Sequence, residues 1–255
     1  MNRLSFAWTQ RVKRIFGMLP ATLVLSGLVA PATHADTCTY TTAYASSTLY
    51  NYQRCQMTDL DQRRMADLIN QTPGLPNNGN MYCAPTAALD LLTYIANHGV
   101  TTMAPGPGYY GPESCDFCTI GVQYNKMTNA ISQMGSLMGT DPYTGTGGSG
   151  ATTGLQQWVS GSGGAGRAFT VSHVVPNSFW SPRLDDLASA ALNGAVVAPV
   201  VGWYQGTKES GFSRKGGHVL ALAMAKRSGT SAQIGLRERG PLARLGHPAM
   251  GPQQA

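Results

Sequence analysis

Apolar residues recur at helical spacing in the first half of this chain and gather into near-continuous runs in the second, and that segregation limits the fold more than any other feature. Ala87, Ala88, Leu91, Leu92, Ile95 and Ala96 form a broad apolar face, which predicts a helix over 83–97 with Gly99 as its stop. Met127, Ile131, Met134 and Met138 predict a second helix over 122–138 and are candidate core residues. A third helix is expected over 58–70, capped by Thr58 or Asp59, with Leu60, Met65 and Leu68 at roughly helical spacing. Residues 72–80 and 101–119 read as loops, from their Pro, Gly and Asn content. Residues 144–166 are rich in Gly, Ser and Thr and read as a flexible connector or exposed loop, apart from a short patch at 155–159. Beyond them, 168–175, 195–204, 219–225 and, more weakly, 233–236 read as strands, with a short helix over 184–192. Helices first and strands second argue for an α+β fold rather than an alternating βαβ one. No internal repeat of fixed period occurs.

The start of the chain reads as an export signal. Arg3, Arg11, Lys13 and Arg14 stand without an acid in residues 1–14, an apolar run covers 15–29, and small residues precede Asp36. This is a basic, apolar, small-residue succession with an A-x-A-like cleavage site. The apolar run falls short of the ~20 residues of a spanning helix. The expectation is a signal peptide over 1–35, an exported (periplasmic or extracellular) mature chain of 220 residues, and no stable membrane insertion after cleavage. The charge is as uneven as the composition. The whole chain carries +6, but residues 36–225 carry −2 and residues 226–255 carry +4. A nearly neutral body lacks the electrostatic footprint of a nucleic-acid binder.

Five cysteines are present: Cys38, Cys55, Cys83, Cys115 and Cys118. An oxidising compartment favours pairing, and an odd count leaves one thiol over. Cys38 with Cys55 can tie down the N-terminal segment, and Cys115 with Cys118 can close a tight loop. Other pairings stay open, because sequence does not fix connectivity. The first arrangement leaves Cys83 free. Cys83 stands where a loop turns into the apolar helix, with Pro85 in the first turn. There a thiol meets the positive end of the helix and its unpaired N–H groups, which favour thiolate and can serve an oxyanion. His218 follows Gly216-Gly217 and precedes the run Val219-Leu220-Ala221-Leu222. That sets an imidazole at the mouth of an apolar strand, so a cysteine on a helix start and a distant histidine on a strand make a nucleophile–base pair. His98, His173 and His247 show no metal-ligand spacing with the cysteines, and Cys115–Cys118 is only half of a zinc motif, so neither metal nor organic cofactor is implied.

Three blocks carry a family resemblance. Asn80-Met81-Tyr82-Cys83-Ala84-Pro85-Thr86-Ala87-Ala88-Leu89 resembles the nucleophile helix of the peptidase C39-like group of the papain-like cysteine peptidase superfamily. Residues 195–204 resemble the apolar strand before that group's histidine, and 216–222 resemble its histidine strand. The blocks occur in the family's order across roughly residues 70–236. The resemblance implies a papain-like α+β domain over 36–237, with N-terminal helices packed on a C-terminal antiparallel sheet and Cys83 on a helix start. It implies an exported cysteine hydrolase, a peptidase acting on a peptide or protein substrate through a Cys83–His218 acyl-enzyme. The alternative is a catalytically impaired or non-catalytic papain-like binding module.

The chain departs from the family's pattern at two places. The resemblance implies a Gln about six residues before the cysteine as oxyanion donor, where this chain has Asn77, with Asn78 and Asn80 close by and Gln71 further off. It also implies an Asp or Asn after the strand following the histidine, to orient the imidazole, and Glu238 is the acid there. Residues 238–255 turn basic and Gly/Pro/Ala/Arg-rich without a strand or helix period, and read as a disordered or altered tail rather than the family's natural ending.

Overall fold

The computed structural model of the chain describes residues 3–12, 43–46, 49–54, 57–66, 73–106, 122–166, 168–174, 184–207 and 210–237. They form a mixed α+β fold whose strands all pair antiparallel. The elements in chain order are β1 (Arg3–Val12), β2 (Ala43–Ser46), β3 (Leu49–Gln53), α1 (Cys83–Asn97), α2 (Val122–Met138), α3 (Gly148–Gly161), the short α4 (Gly163–Gly166), β4 (Phe169–Val174), α5 (Leu184–Leu192), β5 (Val197–Thr207), β6 (Gly211–Val219), β7 (Ala221–Ser228) and β8 (Ser231–Arg237). One sheet runs β4-β1-β5-β6 and the other β2-β3-β7-β8. Only Leu220 separates β6 from β7, so the chain passes from one sheet to the other at that residue, and its N–H donates to the Pro199 carbonyl at 3.2 Å.

Alternation along the strands divides the core. Val196, Ala198, Ala221 and Ala223 pack with α1, α2 and α3, while Ala195, Val197, Leu222 and Ala225 pack with Leu187, Ala188 and Ala191 of α5. Successive strand side chains point to opposite faces, so the same strands serve two cores. The tie to α5 is polar as well: Asp185 in its first turn pairs with Arg227 of β7 at 2.7 Å and accepts from the Tyr50 hydroxyl of β3 at 2.9 Å. Burial and that carboxylate hold the Tyr50 hydroxyl well above the usual phenol range. Helix α1 is buried on every side from Ala84 to Ala96. A helix buried all round belongs at the centre of a domain. It ends where His98 caps it and Gly99 takes φ +109°, the left-handed stop that glycine accepts at low cost.

The helices over 83–97, 122–138 and 184–192 form as the periodicity predicts, and Met127, Ile131, Met134 and Met138 are buried. Two expectations are overturned. Residues 57–66 are not helical. Their hydrogen bonds go to other segments: Leu60 N–H to Asp90, Arg64 N–H to the Asn78 carbonyl, and the Arg64 carbonyl to Leu75 N–H. Tertiary partners for the backbone outweigh a modest helical propensity here. The second correction concerns 144–166, which is not a loop but contains α3. Its glycines let two helices touch closely: a Cβ on Gly154 would meet the backbone of Leu137 and Met138, and one on Gly150 the Met138 carbonyl. Ala151, Leu155 and Val159 then enter the core, and the Trp158 indole donates to the Ala104 carbonyl at 2.9 Å.

The strands expected from the sequence also leave out β1, β2, β3 and most of β6. Residues 3–12 fall within the stretch expected to be a leader, yet they pair as β1 between β4 and β5. Their run Leu4-Ser5-Phe6-Ala7-Trp8-Thr9 alternates large apolar with small residues, a period-2 signal. Among the described residues no helix is long and apolar enough to cross a membrane.

The helix contact yields a paired test. Gly154→Ala forces the α2–α3 contact apart and is expected to destabilise the fold by about 1–3 kcal/mol. Gly161→Ala, with open space around it, is expected to be neutral or stabilising by up to about 1 kcal/mol. Urea melts of both variants check this, and equal effects would contradict the close packing.

Candidate active site

The turn leading into α1 is built from residues that accept unusual backbone angles. Asn77 and Asn78 sit at φ 50° and 52°, a left-handed region that Asn tolerates better than most residues. Gly79 follows at φ 76°, and a Cβ there would run into the Gln62 carbonyl. The turn is therefore pressed against the 57–66 segment, and the Gln62 carboxamide donates to the Asn80 carbonyl at 3.1 Å. From there Tyr82 leads directly into Cys83, the first residue of α1.

His218 arrives from the opposite wall. It is the penultimate residue of β6, just before the crossover at Leu220, and pairs in register with Val201 of β5. His218 lines the same cavity as Cys83, and its interaction with the thiol lowers the thiol's pKa. Gly216, two residues earlier on the same face, stands opposite Trp203, whose indole lies 6.2 Å from the imidazole at a 41° tilt. The absence of a side chain at Gly216 leaves that face of the strand open to the indole.

Cys83 is a free thiol. Burial alone would push it up. The hydrogen bond and charge of His218, together with the N–H groups of Val219 and Ala84, outweigh burial and hold it below the ordinary thiol value. The Ala84 N–H belongs to the first turn of α1, where backbone donors have no partner within the helix. A thiolate so placed is a nucleophile with an imidazolium beside it and backbone donors around it.

A narrow cavity at the dyad is lined by Leu60, Gln62, Thr86, Asp90, Leu220 and Arg237 together with Cys83 and His218. Gln62 was missed from the sequence because it lies far upstream of Cys83, in a segment expected to be helical. Its carboxamide stands beside the nucleophile turn as an amide donor. Asn77 does not line this cavity; it is exposed, and its amide donates to the Pro142 carbonyl at 2.9 Å. Asn80 is likewise exposed and donates to the Asn77 side chain. Glu238, Cys38, Cys55, Cys115 and Cys118 lie outside the described residues, as do His247 and Gln71. His98 stacks on Tyr94 with ring centres 4.0 Å apart, at the end of α1 remote from Cys83. Among the described residues no group of three or more His, Cys, Asp or Glu could hold a metal ion.

No family model, curated protein or solved structure matches the chain. The α+β class therefore rests on the elements themselves, and the candidate site on its own geometry.

The thiol's position gives a prediction with a definite sign. His218→Ala removes the imidazole's hydrogen bond and charge but leaves burial, so the thiol should rise and the thiolate fraction at neutral pH should fall. Iodoacetamide labelling of Cys83, followed by peptide mass mapping, is expected to slow about tenfold or more at pH 7. An unchanged rate would mean that His218 does not set the thiol's ionisation.

Proposed function

We propose that the protein is a cysteine hydrolase of papain-like type that cleaves peptide bonds through an acyl-enzyme on Cys83. The observation that carries this reading is the meeting of His218 with a free thiol at a helix start, in one cavity where His218 holds the thiol below its ordinary value. The family resemblance of residues 80–89, 195–204 and 216–222 supports it, as does the packing of helices against antiparallel strands.

In the proposed cycle the Cys83 thiolate attacks the carbonyl carbon and the carbonyl π electrons move onto oxygen. The oxyanion is met by backbone donors at the start of α1 and by the Gln62 amide, in place of the Asn77 expected from the sequence. The imidazolium of His218 gives its proton to the departing nitrogen as the C–N bond breaks, leaving a thioester. His218 then takes a proton from water, which attacks the thioester and frees the acid and the thiol. The chain needs no metal for any of these steps. Export after removal of residues 1–35 belongs to the same proposal, and it takes β1 out from between β4 and β5, so the mature sheet would have to close without that strand. Intact-mass measurement of protein recovered outside the cytoplasm is expected to show a chain beginning near Asp36, and a full-length chain there would contradict cleavage.

Activity is tested on a mixed peptide library read by mass spectrometry. Cys83→Ala and His218→Ala should each abolish nearly all cleavage, because the two groups act as a unit. Gln62→Ala should lower turnover about ten- to a thousand-fold. It should barely change alkylation of Cys83, a displacement that forms no oxyanion. Equal cleavage by the wild type and Cys83→Ala would replace the enzyme with the papain-like binding module.

A further inference from the structure

Apolar side chains exposed singly need no explanation, and Leu49, Tyr143 and Val174 are of that kind. Trp203 differs in where it stands. It is 38% exposed, and its ring centre lies 6.2 Å from that of the His218 imidazole, the proposed base, at a tilt of 41°. The strands fix it there. Trp203 of β5 pairs with Gly216 of β6, and Val201 with His218, so indole and imidazole project from the same face of the β5–β6 pair. Directly beyond that pair the register slips. Tyr204 faces Arg214, which leaves Lys215 as an extra residue in β6. Such bulges re-aim side chains and are frequent beside active sites. Tyr204 turns to the other face, where its ring covers Gly202 so closely that a Cβ there would come within 2.8 Å of it.

We propose that Trp203 is a specificity-determining residue, which receives a large apolar or aromatic side chain on the residue whose nitrogen departs from the cleaved bond. The inference rests on the Cys83–His218 reading and deepens it by naming the substrate class. The imidazole hands its proton to the departing nitrogen, which must come within about 3 Å of a ring nitrogen. The residue carrying that nitrogen therefore lies on the imidazole's side of the scissile carbonyl. Its side chain begins two bonds further on, within reach of an aromatic surface centred 6.2 Å from the imidazole. Aromatic rings pair at centre separations of about 4.5–7 Å, offset or tilted rather than face to face. The exposed part of the indole is the surface such a side chain covers, and Gly216, opposite Trp203, adds no side chain to block the approach.

Aminolysis of an acyl-enzyme reads this position directly, because it is the leaving step in reverse. p-Nitrophenyl acetate places an acetyl thioester on Cys83 with release of p-nitrophenol. An added amine then attacks the thioester carbonyl, the C–S bond breaks, the sulfur leaves as thiolate, and His218 takes the proton from the amine nitrogen. The amine occupies the place that a departing residue vacates. Phenylalanine amide and glycine amide carry the same charge and differ in the benzyl side chain, so competition between them reports whether that group finds a surface to cover.

Full-length wild type, Trp203→Ala and Trp203→Phe each receive p-nitrophenyl acetate with equal concentrations of the two amides. The two acetylated products are quantified by mass spectrometry after subtraction of the reaction seen with Cys83→Ala. Only acetylated enzyme forms the ratio, so a loss of folded protein lowers the yield and not the ratio, and the intrinsic reactivities of the amines cancel between proteins. The ratio of N-acetylphenylalanine amide to N-acetylglycine amide is expected to fall about three- to tenfold from wild type to Trp203→Ala, and Trp203→Phe should keep most of it. The same ratio in wild type and Trp203→Ala overturns the assignment, as does a fall in Trp203→Phe as deep as that in Trp203→Ala. Wild-type protein that forms no acetyl-enzyme on Cys83 defeats the underlying dyad and this inference with it. Failure of Trp203 alone looks different: acetyl-Cys83 forms and the ratio does not move.

Discussion

Helix α1 is buried on every side from Ala84 to Ala96, so it has only one place to go, between α2 and α3 on one flank and the strands β5, β6 and β7 on the other. That burial decides where Cys83 lies. The helix enters from the Pro76–Gly79 turn, which is pressed on the 57–66 segment, and its first residue meets the crossover at Leu220. The strands need that crossover because β6 and β7 belong to different sheets. His218 sits two residues before it, and the thiol–imidazole contact follows from packing that would exist without any chemistry.

The electrostatics come from the same arrangement. Burial of a thiol normally keeps it protonated, and Cys83 is partly buried. The imidazole and the N–H groups of Val219 and Ala84 reverse that, and each is supplied by a structural feature: the end of β6, the crossover, and the first turn of a helix. The polar residues behind the dyad divide the remaining charge, Asp90 from the helix and Arg237 from the last strand. A buried cavity shared by opposite charges and an unmet hydroxyl is costly, which is why it reads as functional rather than incidental.

Much of this was legible in the sequence where periodicity was strong. The faces of α1 and α2, the runs of β5 and β7, and the isolated Cys83 and His218 stood out because burial imposes a pattern that local sequence carries. Three things did not. The 57–66 segment satisfies its backbone through Asp90, Asn78 and Leu75, partners distant in sequence, so its apparent helical spacing misled and Gln62 went unnoticed. Helix α3 looked like a linker because its glycines and small polar residues are chosen for close approach to α2, not for helix propensity. Asn77 occupied the position a family pattern suggested, but a left-handed turn sends its amide to Pro142 instead. Position along a chain is a poor guide to a site assembled from four segments.

The most direct test of the account is the pre-steady-state reaction with p-nitrophenyl acetate, followed by digestion and mass mapping. The Cys83–His218 pair predicts a burst of about one p-nitrophenol per chain and an acetyl thioester on Cys83. Both should be lost in Cys83→Ala and in His218→Ala. No burst from the wild-type protein, or the same release from Cys83→Ala, would contradict the claim that this thiol and this imidazole form a catalytic unit.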